Sequence, residues 1–144
     1  MTTLYVSDLD GTLLQPDARL SDTTVEILNR EIAAGKLFTV ATARTPATVA
    51  PILERVDMRL PAIVMTGAAL WDTRTRRYSR VVYMDPQAAG ELVEVYRATQ
   101  TPTFLYTLVD DMIHIYHIGP LSELERDFIN ERVGNRFKVL HIPE

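Results

Sequence analysis

Over the first sixty-six residues, three short apolar runs alternate with two segments of helical period, and no other feature limits the fold so strongly. The runs are "LYV" (4–6), "LFTVA" (37–41) and "AIVMT" (62–66). Between the first two, Val25, Leu28 and Ile32 share helical spacing, with Ser21 placed to cap the start and Gly35 the end. Between the second and third, Thr45 is placed to cap, Pro46 suits a first turn, and Val49, Ile52, Leu53 and Val56 fall on one face. Strands that alternate with helices imply a parallel sheet covered on both faces, so its strands read apolar throughout and not at every second position. The expected class is α/β with a doubly wound, Rossmann-like start.

After Gly67 the rhythm changes. "ALWDTRTRRYSRVVYM" reads as two strands around a turn, and the expected domain boundary lies near residue 80, giving units 1–80 and 81–144. In the second unit Asp85 and Pro86 open a helix with Ala89, Leu92, Val93 and Tyr96 on one face. "TFLYTLVDDMIHIYHI" reads as a hairpin turning at Asp110-Asp111, Ser122 and Glu125 have capping-box spacing, Gly134 is placed to end that helix, and "RFKVLHI" reads as a last strand. This second unit is α+β.

Composition excludes several classes of partner. A formal charge of −4 without a long basic run leaves no electrostatic footprint for nucleic acid. No span approaches the roughly 18 apolar residues that a membrane-crossing helix requires. The start "MTTLYVSD" has no charged leader before an apolar stretch, and the chain has no cysteine for disulfides, thiolate metal sites or thiol nucleophiles, so the expected location is cytoplasmic.

The chemistry concentrates in "YVSDLDGTLL" (5–14), where an apolar strand runs directly into two aspartates. In open parallel sheets ligands bind beyond the carboxyl ends of the strands, and Asp8 and Asp10 stand at such an end. Two carboxylates this close repel unless a cation or shared proton compensates, and Mg2+ is the natural dication where every available ligand is oxygen. Such an ion would also neutralise a phosphate. One carboxylate is then suited to attack phosphorus, and the other to give a proton to the leaving oxygen and later take one from water. Gly11 and the amides around Leu9 are placed to approach phosphate oxygens, and Thr12 adds a hydroxyl. Taken as an isolated tetrapeptide, Asp-Leu-Asp-Gly would be no more than turn chemistry.

The stretch "DLDGT" resembles the first motif of the haloacid dehalogenase-like hydrolases, Asp-x-Asp-x-Thr at the end of the first strand. "VATAR" resembles the second motif, in which a Thr or Ser hydrogen-bonds phosphate, and so assigns that role to Thr42 with the Ala43 amide. The Cof-like subfamily usually reads Thr-Gly-Arg there, and this chain has Ala43 in place of Gly. "MTGAAL" is similar to that subfamily's Asn-Gly-Ala turn, with Thr66 in place of Asn, and the second unit resembles part of its α+β cap. The resemblance implies that Asp8 is the nucleophile and Asp10 the acid/base, that both serve Mg2+, and that the substrate is a small phosphorylated metabolite. Arg44, at a helix entrance, is equally readable as a solvated residue or as a clamp on a substrate oxyanion.

Other conspicuous residues read more simply as structure. His114 and His117 are three apart on a strand and point to opposite faces, which disfavours a shared metal. Arg74, Arg76, Arg77 and Arg80 read as a solvated hairpin end, and Trp71 as a packing residue.

Two family motifs are missing: the Lys that stabilises phosphate charge, and the acidic pair in Gly-Asp-x-x-x-Asp. The only lysines are Lys36 and Lys138, and none of the six glycines precedes an aspartate. The resemblance therefore spans the chain but only the front half of the family's fold. In a doubly wound sheet of order 3-2-1-4 the first strand has a neighbour on each side; without the fourth, "LYVSDLD" presents an apolar free edge open to a dimer partner or a second chain. The expectation is a truncated, inactive portion of a Mg2+-dependent phosphatase. The alternatives are a non-catalytic phosphate-ligand or assembly module and, among enzymes, a phosphomutase; a dehalogenase has no use for the proton-transfer role of Asp10.

Overall fold

The computed structural model describes residues 2–119, 121–130 and 137–141. The chain is mixed α/β and divides after Val82 into two compact units.

In the first unit β1 (Leu4–Ser7) pairs in parallel with β2 (Leu37–Val40), from Leu4 opposite Leu37 to Ser7 opposite Val40. A parallel bridge from Ala41 to Ile63 joins β2 to β3 (Ala62–Val64), giving the spatial order β1, β2, β3. The connecting helices are α1 (Asp22–Ala33) and α2 (Pro46–Leu53). The Ser21 hydroxyl accepts from the Thr24 amide at 3.0 Å, satisfying one of the free donors at the start of α1, and Gly35 follows its end at φ +91°. Thr45 occupies the capping position of α2 but its side chain makes no capping bond, so there it is Pro46, with its preset φ, that suits the helix start. From α2 and its C-terminal extension, Val49, Leu53 and Val56 are buried, as is Ile32 of α1.

β3 turns sharply into β4 (Ala69–Asp72), which pairs antiparallel with β3 and with β5 (Arg77–Val81). Trp71 is buried, and Asp72 accepts from the amides of Arg74 and Thr75, which shapes the arginine-bearing turn.

The strands are not equally covered. Val40, Ala62 and Val64 are fully buried, whereas Leu4, Tyr5 and Val6 of β1 stay 51%, 50% and 48% exposed. β2 is the only strand that β1 pairs with among the described residues. The apolar free edge expected for the first strand is what the described residues show: half of its apolar surface faces water.

The second unit opens with α3 (Pro86–Ala98), whose first amides, of Gln87 and Ala88, donate to the Asp85 carboxylate. Of the apolar face expected on it, Ala89, Val93 and Tyr96 are half-buried, but Leu92 is 42% exposed. β6 (Thr103–Val109) and β7 (Met112–Ile118) form an antiparallel hairpin whose two-residue turn, Asp110-Asp111, has φ +48° and +61°, the left-handed pair that a type I′ turn requires. β8 (Lys138–His141) adds to β7 in parallel. α4 (Glu123–Asn130) begins with a closed capping box: the Glu125 carboxylate accepts from the Ser122 amide at 2.9 Å, and the Ser122 hydroxyl accepts from the Glu125 amide at 3.3 Å. Gly134, expected to end this helix, lies outside the described residues.

His114 and His117 have separate partners. The His114 Nδ1 lies 2.9 Å from Nε2 of His141, brought alongside by the β7–β8 pairing, while the buried His117 has its Nε2 3.4 Å from Glu125. Among the described residues no group of three or more His, Cys, Asp or Glu side chains is placed to hold a metal.

Candidate functional site

The site is built where β1 and β2 end side by side. β1 stops at Ser7, and the chain then makes one wide turn, Leu9–Leu13, closed by a 2.9 Å bond from the Leu14 amide to the Leu9 carbonyl. Leu9 is 0% exposed, while Asp8 and Asp10 on either side of it are exposed. One buried leucine thus pins the turn to the core and leaves both acids at the surface. Gly11 sits at φ +71°, where an L side chain is strained, and nothing lies within 4 Å of where its Cβ would be. Dihedral freedom, and not close approach by a neighbour, is what this position asks of glycine.

The two acids are stabilised differently. The Asp8 Oδ1 accepts from the Leu9 amide at 2.7 Å, so that amide, expected to face phosphate, is here directed to the aspartate beside it. Asp10 is gripped by Arg44: Nε donates to Oδ2 and Nη2 to Oδ1, each at 2.7 Å. This side-on fork is the strongest common form of carboxylate recognition. The like-charge repulsion is therefore relieved on one side by a guanidinium.

Arg44 is delivered by the segment after β2. The Thr42 amide donates to Ile63 at 3.0 Å, Thr66 donates to the Thr42 carbonyl at 3.1 Å, and Met65 donates to the Arg44 carbonyl at 3.0 Å. The buried Thr42 accepts the Arg44 amide on Oγ1 at 3.2 Å, which leaves its own hydroxyl proton to donate. Ala43 is exposed, and its amide has no acceptor among the described residues. It is absent from the left-handed positions, so the methyl group that replaces the expected glycine hydrogen brings no backbone strain. Thr12 is exposed on the turn after β1.

The β3–β4 turn carries strain. Met65, Thr66 and Gly67 follow one another at φ +54°, +57° and +88°. The last suits glycine; the second puts a β-branched side chain where Asn is far better tolerated. Thr66→Asn is expected to stabilise the protein by about 0.5–1 kcal/mol, read as a higher urea midpoint at unchanged m-value.

The hydrogen bond from Arg44 is the main reason the Asp10 carboxyl lies below the ordinary carboxylate range, and the same bond raises the Arg44 guanidinium. Because the folded value is depressed, the stability contributed by the pair is complete at neutral pH and is lost as pH falls through that lowered value. The Asp10 side chain is 55% exposed and that of Arg44 26%, so solvent screening limits the contribution to under about 1 kcal/mol. Arg44→Gln is expected to lower the neutral plateau of a stability-against-pH curve by under about 1 kcal/mol, with the variant and wild-type curves converging below the usual carboxylate range.

A divalent ion fits this crest only in one way. Mg2+ typically takes one or two carboxylates and completes its shell with water and phosphate oxygens. Asp8 satisfies that pattern, with a single 2.7 Å amide bond to one oxygen and no further partner among the described residues. The Asp10 carboxylate would have to share itself with Arg44. Lys36 pairs with Glu31 at 2.6 Å beside the start of β2, at the opposite end of that strand from Thr42, so it does not take the place of the phosphate-binding lysine.

The Asp10–Arg44 bond spans 34 positions and has no local sequence signature. Only the inference that β1 and β2 are parallel neighbours, with their carboxyl ends abreast, could have pointed to it.

Comparison with known proteins gives a consistent picture. A family described as haloacid dehalogenase-like hydrolase matches residues 5–142. The chain is 36% identical over 101 residues to 5-amino-6-(5-phospho-D-ribitylamino)uracil phosphatase YwtE of Bacillus subtilis, an alignment covering 69% of this chain and 34% of that protein. It is 30% identical over 118 residues to pyridoxal phosphate phosphatase YbhA of Escherichia coli, covering 81% and 43%. The crystal structure of a haloacid dehalogenase-like hydrolase from Bacteroides thetaiotaomicron superposes with a TM-score of 0.69 at 17% identity, covering 100% of this chain and 52% of that one. The chain thus spans between about a third and about a half of the length of these proteins.

Proposed function

The chain belongs to the haloacid dehalogenase-like hydrolases, and from that membership we propose that it forms the front half of a Mg2+-dependent phosphatase of small phosphorylated metabolites, working through an aspartyl-phosphate. The observation that carries the proposal is the arrangement at the end of β1: two exposed acids around a buried leucine, with Thr42 and the free Ala43 amide on the neighbouring strand end. The likeness to two phosphatases of small phosphate esters supports the substrate class. The first unit is read as the front of the catalytic core and the second as part of the cap that chooses the substrate.

In the proposed reaction an Asp8 oxygen bonds to phosphorus as the ester P–O bond breaks, and the departing oxygen takes a proton from Asp10. Water then attacks phosphorus, Asp10 takes its proton, and inorganic phosphate leaves Asp8 in its original form. The first step needs Asp10 to have taken up a proton and the second needs it ionised; the pairing with Arg44, which holds its carboxyl below the ordinary carboxylate range, favours the ionised state that takes the proton from water. Thr42 donates its hydroxyl proton to a phosphoryl oxygen, and the Ala43 amide is free to do the same. Mg2+, held by Asp8 with Asp10 nearby, would supply charge neutralisation for the phosphate.

The missing lysine and distal acids leave the phosphate charge incompletely balanced, and the half-exposed edge of β1 favours completion by a second chain or a further segment. The 144-residue chain alone, given Mg2+ and a generic aryl phosphate, is therefore expected to show turnover indistinguishable from background. Turnover at ordinary enzyme rates, abolished by Asp8→Asn, would show that the missing groups are dispensable. The same gaps support a second reading, a phosphate-binding module without catalysis. It differs in one result: such a module binds orthophosphate but forms no bond between Asp8 and a phosphoryl mimic.

A further inference from the structure

Arg44 is fixed at both ends. Its amide donates to Thr42 Oγ1 at 3.2 Å, its carbonyl accepts from Met65 at 3.0 Å, and its side chain, only 26% exposed, ends in the fork on Asp10. That fork uses Nε and Nη2. A guanidinium has five N–H donors in one plane, so the Nη1/Nη2 edge keeps three hydrogens without an acceptor among the described residues. One planar group can hold two oxyanions, one along each edge; here one edge lies on the Asp10 carboxylate, and the backbone amide of the same residue is bonded to the Thr42 hydroxyl that binds phosphate on the phosphatase reading, on which this inference rests.

We propose that Arg44 is a positioning residue that bridges Asp10 and the phosphoryl group, keeping its Nε/Nη2 edge on the carboxylate while its Nη1/Nη2 edge takes a phosphoryl oxygen. The bridge fixes the rotamer of Asp10, an otherwise exposed side chain free to turn, relative to the ester it serves. A lysine cannot do this, because a point charge has no second edge at a fixed angle.

The test uses the 144-residue chain with orthophosphate as probe. The Arg44 Nε–H signal in nitrogen-15 NMR is expected to exchange slowly with water both without and with saturating phosphate, and at least about tenfold faster in Asp10→Ala. Arg44→Lys, checked for folding by circular dichroism, is expected to weaken phosphate binding about tenfold or more, the equivalent of one charge-assisted hydrogen bond. Thr42→Val serves as the reference for the phosphate site and is expected to weaken binding as well. Three results each overturn the bridge alone: release of the Nε–H on adding phosphate, indifference of that signal to Asp10→Ala, or unchanged affinity in Arg44→Lys while Thr42→Val weakens it. If neither variant alters phosphate binding, or the wild type binds none, the phosphatase reading falls together with the bridge.

Discussion

Asp8→Asn is expected to erase every covalent step at this site. In the assembled enzyme, turnover of an aryl phosphate should fall by about four to six orders of magnitude, as removal of a covalent nucleophile does elsewhere. The amide keeps the size of the carboxylate and can still accept the Leu9 N–H on its oxygen, so the turn should survive and the loss should be chemical. The isolated chain offers a direct readout that needs no turnover. Fluoroberyllate imitates a tetrahedral phosphoryl group and bonds to an aspartate oxygen. Wild-type chain with Mg2+ should give a bound fluorine-19 signal that chelation of the metal removes and that Asp8→Asn never shows. A bound signal of equal intensity in Asp8→Asn would move the nucleophile elsewhere.

The second large effect is structural. Leu9→Ala should destabilise the first unit by about 2–5 kcal/mol, the usual range for emptying a fully buried leucine site. Against a typical total of about 5–15 kcal/mol, that is enough to unfold a marginal unit. Chemical denaturation of the variant should show the early loss of the Trp71 fluorescence change, since Trp71 is buried in the same unit. Leu9→Met, which nearly conserves volume, should cost less than about 1.5 kcal/mol. If alanine and methionine prove equivalent, Leu9 does not anchor the turn, and the account of why two acids surface around it fails.

Much of the local structure could be read directly from residue patterns. Ser21, Asp85 and the Ser122–Glu125 box cap their helices as their spacing indicates, and Asp110-Asp111 turns the hairpin. These features depend on neighbours within about four positions, where chain geometry leaves few alternatives. Thr45 shows the limit of such reasoning: it stands at the cap position, yet its side chain makes no capping bond. Leu92 shows it again: it shares helical spacing with the half-buried Ala89, Val93 and Tyr96, yet it is 42% exposed.

What the sequence determined by itself was the alternation of elements and the placing of Asp8, Asp10 and Thr42 at strand ends, because periodicity and strand termini are written in adjacent residues. Tertiary structure alone decided how the charges are compensated: Arg44 reaches Asp10 across 34 positions, and His114 meets His141 across 27. Such pairings arise when parallel strands bring distant ends abreast, and no local pattern records which long side chain will then find which acid.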